Sequence, residues 1–146
     1  MKAILTALLF TAGLLCPCAH GQRVEEIKPK AEKGDADAQY LYGISFASKK
    51  GVWTVDSAKW FRKAAEQGHI KAQAMLGVLY EAGEGVAKDF VEAYAWWNLA
   101  SPADKEAAEY RDELEKKMTT QQVADGQKRT KELRAMIEAK AGKTTK

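Results

Sequence analysis

"AEKGDADAQYLYG" (residues 31–43) and "AEQGHIKAQAMLG" (residues 65–77) are nearly one phrase written twice, 34 residues apart. Laid over each other they pair Ala31 with Ala65, Glu32 with Glu66, Gly34 with Gly68, Ala38 with Ala72, Gln39 with Gln73 and Gly43 with Gly77. Phe46/Tyr80, Gly51/Gly85 and Val52/Val86 keep the same step. A fixed period of this length marks a structural repeat that cannot bury its apolar face alone and must stack on its neighbour. The period therefore decides the fold before any single residue is interpreted.

Each unit reads as helix, loop, helix. Gly34 and Gly68 stand where one helix ends and the next begins, the place of a left-handed residue after a helix C-terminus. Asp35 follows as an N-cap, and His69 holds the corresponding, poorer slot. On a helical wheel Ala38, Tyr42, Gly43 and Phe46 share one side, as do Ala72, Leu76, Gly77 and Tyr80. Gly43 and Gly77 each cost about 1 kcal/mol of helix propensity, so close backbone contact is the expected compensation. The second helices bring the bulk, Trp60 and Phe61 in one unit and Trp96 and Trp97 in the other. Asp89 with Glu92 forms a capping box at the start of the latter.

The expected fold is all-α: an α-α superhelix of two repeats (35–100) between capping helices. Repeat arrays need atypical ends to cover the last exposed faces. Residues 22–34 form the N-terminal cap, bent or shortened at Pro29. Residues 101–140 form the C-terminal cap. There Ser101 caps and Pro102 opens one helix, striped by Ala107, Tyr110, Leu114 and Met118. Thr119 with Gln122 opens another, with Val123, Thr130, Leu133 and Ile137 inward. Residues 141–146 read as a flexible tail.

The first 21 residues have a different character. Lys2, the apolar run "AILTALLFTAGLL" (3–15) and the small residues Ala19 and Gly21 fit a secretory signal peptide cleaved near Gly21. The run is shorter than the ~20 residues of a spanning helix. The expected location is thus periplasmic or secreted. Cys16 and Cys18 leave with the leader, so the expected mature chain has no disulfide, no thiolate nucleophile and no cysteine-ligated zinc. Its net charge of +2 (22 basic and 20 acidic side chains once Lys2 is removed) is too small to argue for nucleic acid.

Unit two, through Ala65, Gly68, Ala72, Gln73, Leu76, Gly77, Tyr80, Gly83, Gly85, Val86, Asp89, Ala93 and Trp96, resembles the Sel-1-like repeat family, relatives of tetratricopeptide repeats. Unit one departs from that pattern at Lys49 and is two residues shorter before its tryptophan. The resemblance implies an α-solenoid that binds a protein or peptide as an adaptor or regulator. Cysteine-rich relatives associated with β-lactamase activity supply an alternative, a cell-wall hydrolase. They carry a disulfide in each repeat, which this mature chain lacks. A structural subunit of an envelope oligomer is a further alternative.

The catalytic inventory is empty. No Ser-x-x-Lys signature occurs, and "GEGV" lacks the ending of a phosphate loop. His69 has no ligand-spaced partner and reads as a cap or surface residue. No enzyme activity, metal or cofactor is expected, and neither nucleic acid nor a membrane surface is an expected partner. Acids and bases spaced four apart, such as Asp112 with Lys116 and Glu113 with Lys117, read as solvated helix faces. The residues off the repeat's own stripe are Tyr40 and Ile44 in unit one and Ala74 and Val78 in unit two. They either line a groove between successive first helices or are buried against the preceding unit, and burial is the preferred reading. Trp53 reads as a lid over its own hairpin. A change at Glu84 is expected to be nearly neutral.

Overall fold

The computed structural model describes residues 17–47 and 51–144. Among these are seven helices and no strand: α1 (Pro17–Glu32), α2 (Ala36–Ser45), α3 (Val55–Ala65), α4 (Ile70–Ala82), α5 (Phe90–Ala100), α6 (Lys105–Glu115) and α7 (Thr120–Thr144). The signal-peptide reading falls largely on residues 1–16, outside the described residues. Each helix up to α6 packs on the next in the chain, and α7 returns to lie along α5. The repeats are the hairpins α2–α3 and α4–α5, with α1 before them and α6–α7 after them.

The two copies of the opening phrase fold alike because their polar atoms are used alike. At the end of α1 the Gly34 N–H donates to the Ala31 carbonyl and the Asp35 N–H to that of Lys30. At the end of α3 Gly68 and His69 repeat this with Ala65 and Ala64. Both glycines have positive φ, so each helix closes in a Schellman turn. The buried glutamines extend the match: Gln39 Nε2 donates to the Ala31 carbonyl and Gln73 Nε2 to that of Ala65, both at 3.1 Å. A helix-end carbonyl that accepts from the turn glycine thus takes a second hydrogen bond from the next helix. Gln39 Oε1 also accepts from Gln67 Nε2 at 2.7 Å. The matching position for Gln73 is Ser101, whose hydroxyl donates instead to the Asn98 carbonyl.

Small-to-large packing joins the helices. A Cβ on Gly43 would stand 2.8 Å from the Phe61 ring, and one on Gly77 would clash harder still with the Trp97 indole. This approach lets Trp97 Nε1 donate to the Ala74 carbonyl at 3.1 Å. One core gathers Phe61, Ala64, Ala72, Leu76, Leu79, Trp96 and Leu133, so α7 seals both repeats. A second gathers Ala93, Tyr94, Trp97, Ala107 and Leu114 beneath α6. Fully burying one such large side chain contributes about 1.5–3 kcal/mol.

Several expectations shift. α1 begins at Pro17, ahead of residue 22, and runs through Pro29 to Glu32. Proline lacks an N–H, but its own carbonyl still accepts from the Lys33 N–H at 3.2 Å. Ser101 does not cap α6. Its N–H and hydroxyl are committed to the carbonyls of Trp97 and Asn98, and Asp104 caps instead, accepting from the Ala107 N–H at 3.2 Å. Asp89 caps α5, but Glu92 accepts from Trp96 Nε1 and Arg129 rather than completing the box. Thr119 and Gln122 do complete theirs. On α6 the ion pairs are Lys105–Glu109, Arg111–Asp112 and Glu113–Lys116, while Lys117 reaches Glu81 on α4. Residues 141–144 of the expected tail continue α7, where Lys143 in the last turn complements the helix dipole, and residues 145–146 lie outside the described residues.

Glu84 is a joint between the repeats. Its carboxylate accepts the Trp53 backbone N–H at 3.0 Å, tying the second loop to the first. Trp53 lies edge-on to Phe61, 5.4 Å between centroids, as a lid on its hairpin. Glu84→Ala is therefore expected to cost about 1 kcal/mol, the usual net value of such a bond. Urea titration beside the Glu138→Ala control checks this, and equal midpoints would contradict it.

Candidate binding groove between the first helices

The first helices of successive units, α2, α4 and α6, stand side by side and leave an open groove of about 460 Å³. Tyr40 enters it from α2; Lys71, Ala74, Met75 and Val78 from α4; Glu106, Ala107 and Tyr110 from α6; Trp97 from α5 beneath; and Asp104 from the α6 cap. Three of the four residues singled out from the repeat register, Tyr40, Ala74 and Val78, thus share one groove. Ile44 does not line it. It projects from the same face of α2, one turn beyond Tyr40, and is 36% exposed. Tyr40, Ala74 and Val78 are all half-buried, Tyr40 against Phe61 and His69, and Ala74 and Val78 against the core of Trp97, Ala107 and Leu114 that follows them in the chain.

The groove's shape follows from its supports. Gly77 draws Trp97 up against α4, and Tyr110 stacks on that indole at 5.6 Å with the planes 24° apart. Tyr110 is still 51% exposed, so an aromatic face remains open. Tyr40 is fixed from below by His69, 4.7 Å away and stacked, and by Phe61 at 5.6 Å. Burial pushes the Tyr40 phenol above its ordinary value. His69 Nδ1 accepts from the Ala72 N–H at 3.1 Å, capping α4. Its Nε2 faces the Asp37 carboxylate at 3.2 Å. This histidine is a cap and a wall support.

A shallower continuation runs between Asp37, Tyr40 and Leu41 on one side and His69, Ile70 and Lys71 on the other. Leu41, 47% exposed, belongs to this path. The sequence reading did not single out Lys71, Met75, Asp104 or Glu106 as groove residues, nor Tyr110 as more than a stripe residue. The repeat register gives the equivalence of Leu41 and Met75, but α6 matches the repeats only after a one-residue change of step. The remaining repeat positions, Gly34, Ala38, Gly43, Gly68, Ala72, Leu76, Tyr80, Gly85 and Trp96, lie in turns or cores away from the groove lining.

Among the described residues no group of three His, Cys, Asp or Glu is placed to hold a metal ion. No described helix is long and apolar enough to cross a membrane. The groove offers apolar and aromatic surface with charged rims, an arrangement for binding an extended segment.

Known proteins agree with this architecture. The Sel1 repeat model matches residues 36–69 and 70–101, the two hairpins. The crystal structure of c5321, a protective antigen of uropathogenic Escherichia coli strains with an SLR fold, superposes with a TM-score of 0.75 at 36% identity, covering 84% of this chain and 27% of that one. A Sel1 repeat protein from Oxalobacter formigenes gives 0.53 at 37% identity over 57% of this chain and 36% of its own. DAP3-binding cell death enhancer 1 of Rattus norvegicus is 32% identical over 88 residues, 60% of this chain and 17% of the rat protein. The chain thus spans well under half the length of each. Sel1 repeat proteins are in general protein-interaction adaptors, and the rat relative is by its name a binding protein. From the matched repeats, the stacked hairpins and the superposed SLR fold, the chain carries two Sel1 repeats, residues 36–69 and 70–101, in an SLR-type helical solenoid.

Proposed function

We propose that this protein is a non-enzymatic adaptor that grips a segment of a partner protein in the groove between α2, α4 and α6. The observation that carries the reading is the exposed Tyr110 ring, stacked on the buried Trp97 indole, beside half-buried Ala74 and Val78 on α4. Pre-formed apolar surface loses little entropy on binding, which favours a gripping role. The adaptor role of Sel1 repeat proteins supports this reading.

A photo-crosslinking residue at Val78 tests it in the protein's own cells. Illumination is expected to give one discrete adduct, absent when the probe replaces Lys128 on the outer face of α7. The same adducts from both positions would contradict the groove. We further propose export, on the strength of Lys2, the apolar 3–15 run and Ala19–Gly21. N-terminal sequencing of the cell-derived protein is expected to begin at Gln22, and an intact Met1 would contradict export by cleavage.

A further inference from the structure

The near-balanced total charge conceals a division between the two helix layers. The first helices, α2, α4 and α6, carry seven acidic and three basic side chains. The second helices, α3, α5 and α7, carry five acidic and nine basic. One layer is therefore four charges negative and the other four positive. Counting the charged caps, Asp35, Asp104 and Lys116 in front and Glu66 and Asp89 behind, the groove layer stays the more acidic. The imbalance is greatest on α6, which supplies five of the seven acids and forms one wall of the groove. Asp104 and Glu106 line the groove itself, against a single base, Lys71.

From this layering we infer that the groove's occupant is a cationic peptide segment, an aliphatic or aromatic side chain with Lys or Arg close by in sequence. The inference rests on the binding function proposed above and specifies the partner's chemistry. The apolar anchor covers Ala74, Val78 and the exposed Tyr110 ring, and the basic residue meets Asp104 and Glu106. Lys71, in the first turn of α4, repels a cation placed against that wall and so steers the basic residue toward α6. An acidic segment would meet like charge along α6 and is disfavoured. At physiological salt the Debye length is about 8 Å, so the attraction acts near the groove and weakens as salt rises.

A random twelve-residue peptide library displayed on phage and selected on the purified protein tests this. The expected consensus is net positive, with Lys or Arg within four positions of an apolar residue. A synthetic peptide of that consensus should bind roughly ten-fold more weakly to Glu106→Lys, and several-fold more weakly at 300 than at 50 mM salt, as charge-guided contacts do. It should also lose binding to Ala74→Trp, which fills the groove without changing charge. Selected peptides that are neutral or acidic yet blocked by Ala74→Trp would overturn the cationic occupant and leave the groove standing. Peptides that bind Ala74→Trp unchanged would overturn the groove itself. Failure to select any peptide, with salt-sensitive self-association in light scattering, would assign the acidic layer to the basic α7 of a second copy and overturn the proposal.

Discussion

Gly77→Leu should destabilise the protein by roughly 3 kcal/mol or more, at the upper end of core overpacking. The Trp97 indole already occupies the space where even a Cβ would stand. A leucine must push that ring outward, which breaks the Trp97 Nε1 bond to the Ala74 carbonyl and leaves a buried donor unpaired. It also separates Trp97 from Tyr110, so the floor of the groove is lost with the stability. Glycine is a poor helix former, and Gly142→Leu makes the control. Nothing lies within 4 Å of a Cβ there, so that change should gain up to about 1 kcal/mol of helix propensity. Adding Trp97→Leu to the Gly77 variant should recover part of the loss, since residues in contact do not act additively. Thermal melts of the four proteins check this, with the Gly77 variant expected to melt some 10 °C or more below the parent. Equal melting of the Gly77 and Gly142 variants would contradict the close approach.

Gly85→Ala is expected to cost roughly 2–3 kcal/mol, well above the same change at Gly34. Both glycines hold positive φ, +68° and +102°, which charges any L side chain roughly 1–2 kcal/mol. Gly34 has open space around it, so the backbone term is the whole effect there. At Gly85 the added methyl would meet the carbonyl of Thr54, a main-chain group that cannot swing aside. That carbonyl also accepts the Ala58 N–H at the start of α3, and the Thr54 side chain caps the same helix. Displacing it loosens the first repeat from a substitution made in the second. Hydrogen exchange should therefore quicken in residues 55–58 of Gly85→Ala and stay unchanged there in Gly34→Ala. Equal exchange in the two would remove the inter-repeat role of this loop.

The repeat was legible because spacing records stacking. Gly34 and Gly68 and the two Ala-Gln pairs recur in step, and the turn glycines and the glutamines make the same hydrogen bonds in both copies. Tyr40, Ala74 and Val78 could be placed together for the same reason: equivalent positions of stacked helices face the same way. The groove's other wall was not legible. α6 lies outside the matched repeats, and Asp104 rather than Ser101 begins it, because the Ser101 hydroxyl is drawn to the carbonyl three residues back. That moves Glu106 and Tyr110 into positions no alignment of the two units supplies. Glu84 was misjudged because its partner, the Trp53 N–H, is 31 residues away. Gly126 escaped notice as well. Its Cβ would come 2.6 Å from the Tyr94 ring, a closeness only the return of α7 along α5 creates.

Backbone NMR with a groove-selected peptide addresses the gripping surface directly. Shift changes are expected in residues 71–78 and 104–110, with α7 residues 128–140 unmoved. Perturbations centred on α7, with those two segments silent, would show that the stacked first helices are not where this protein holds its partner.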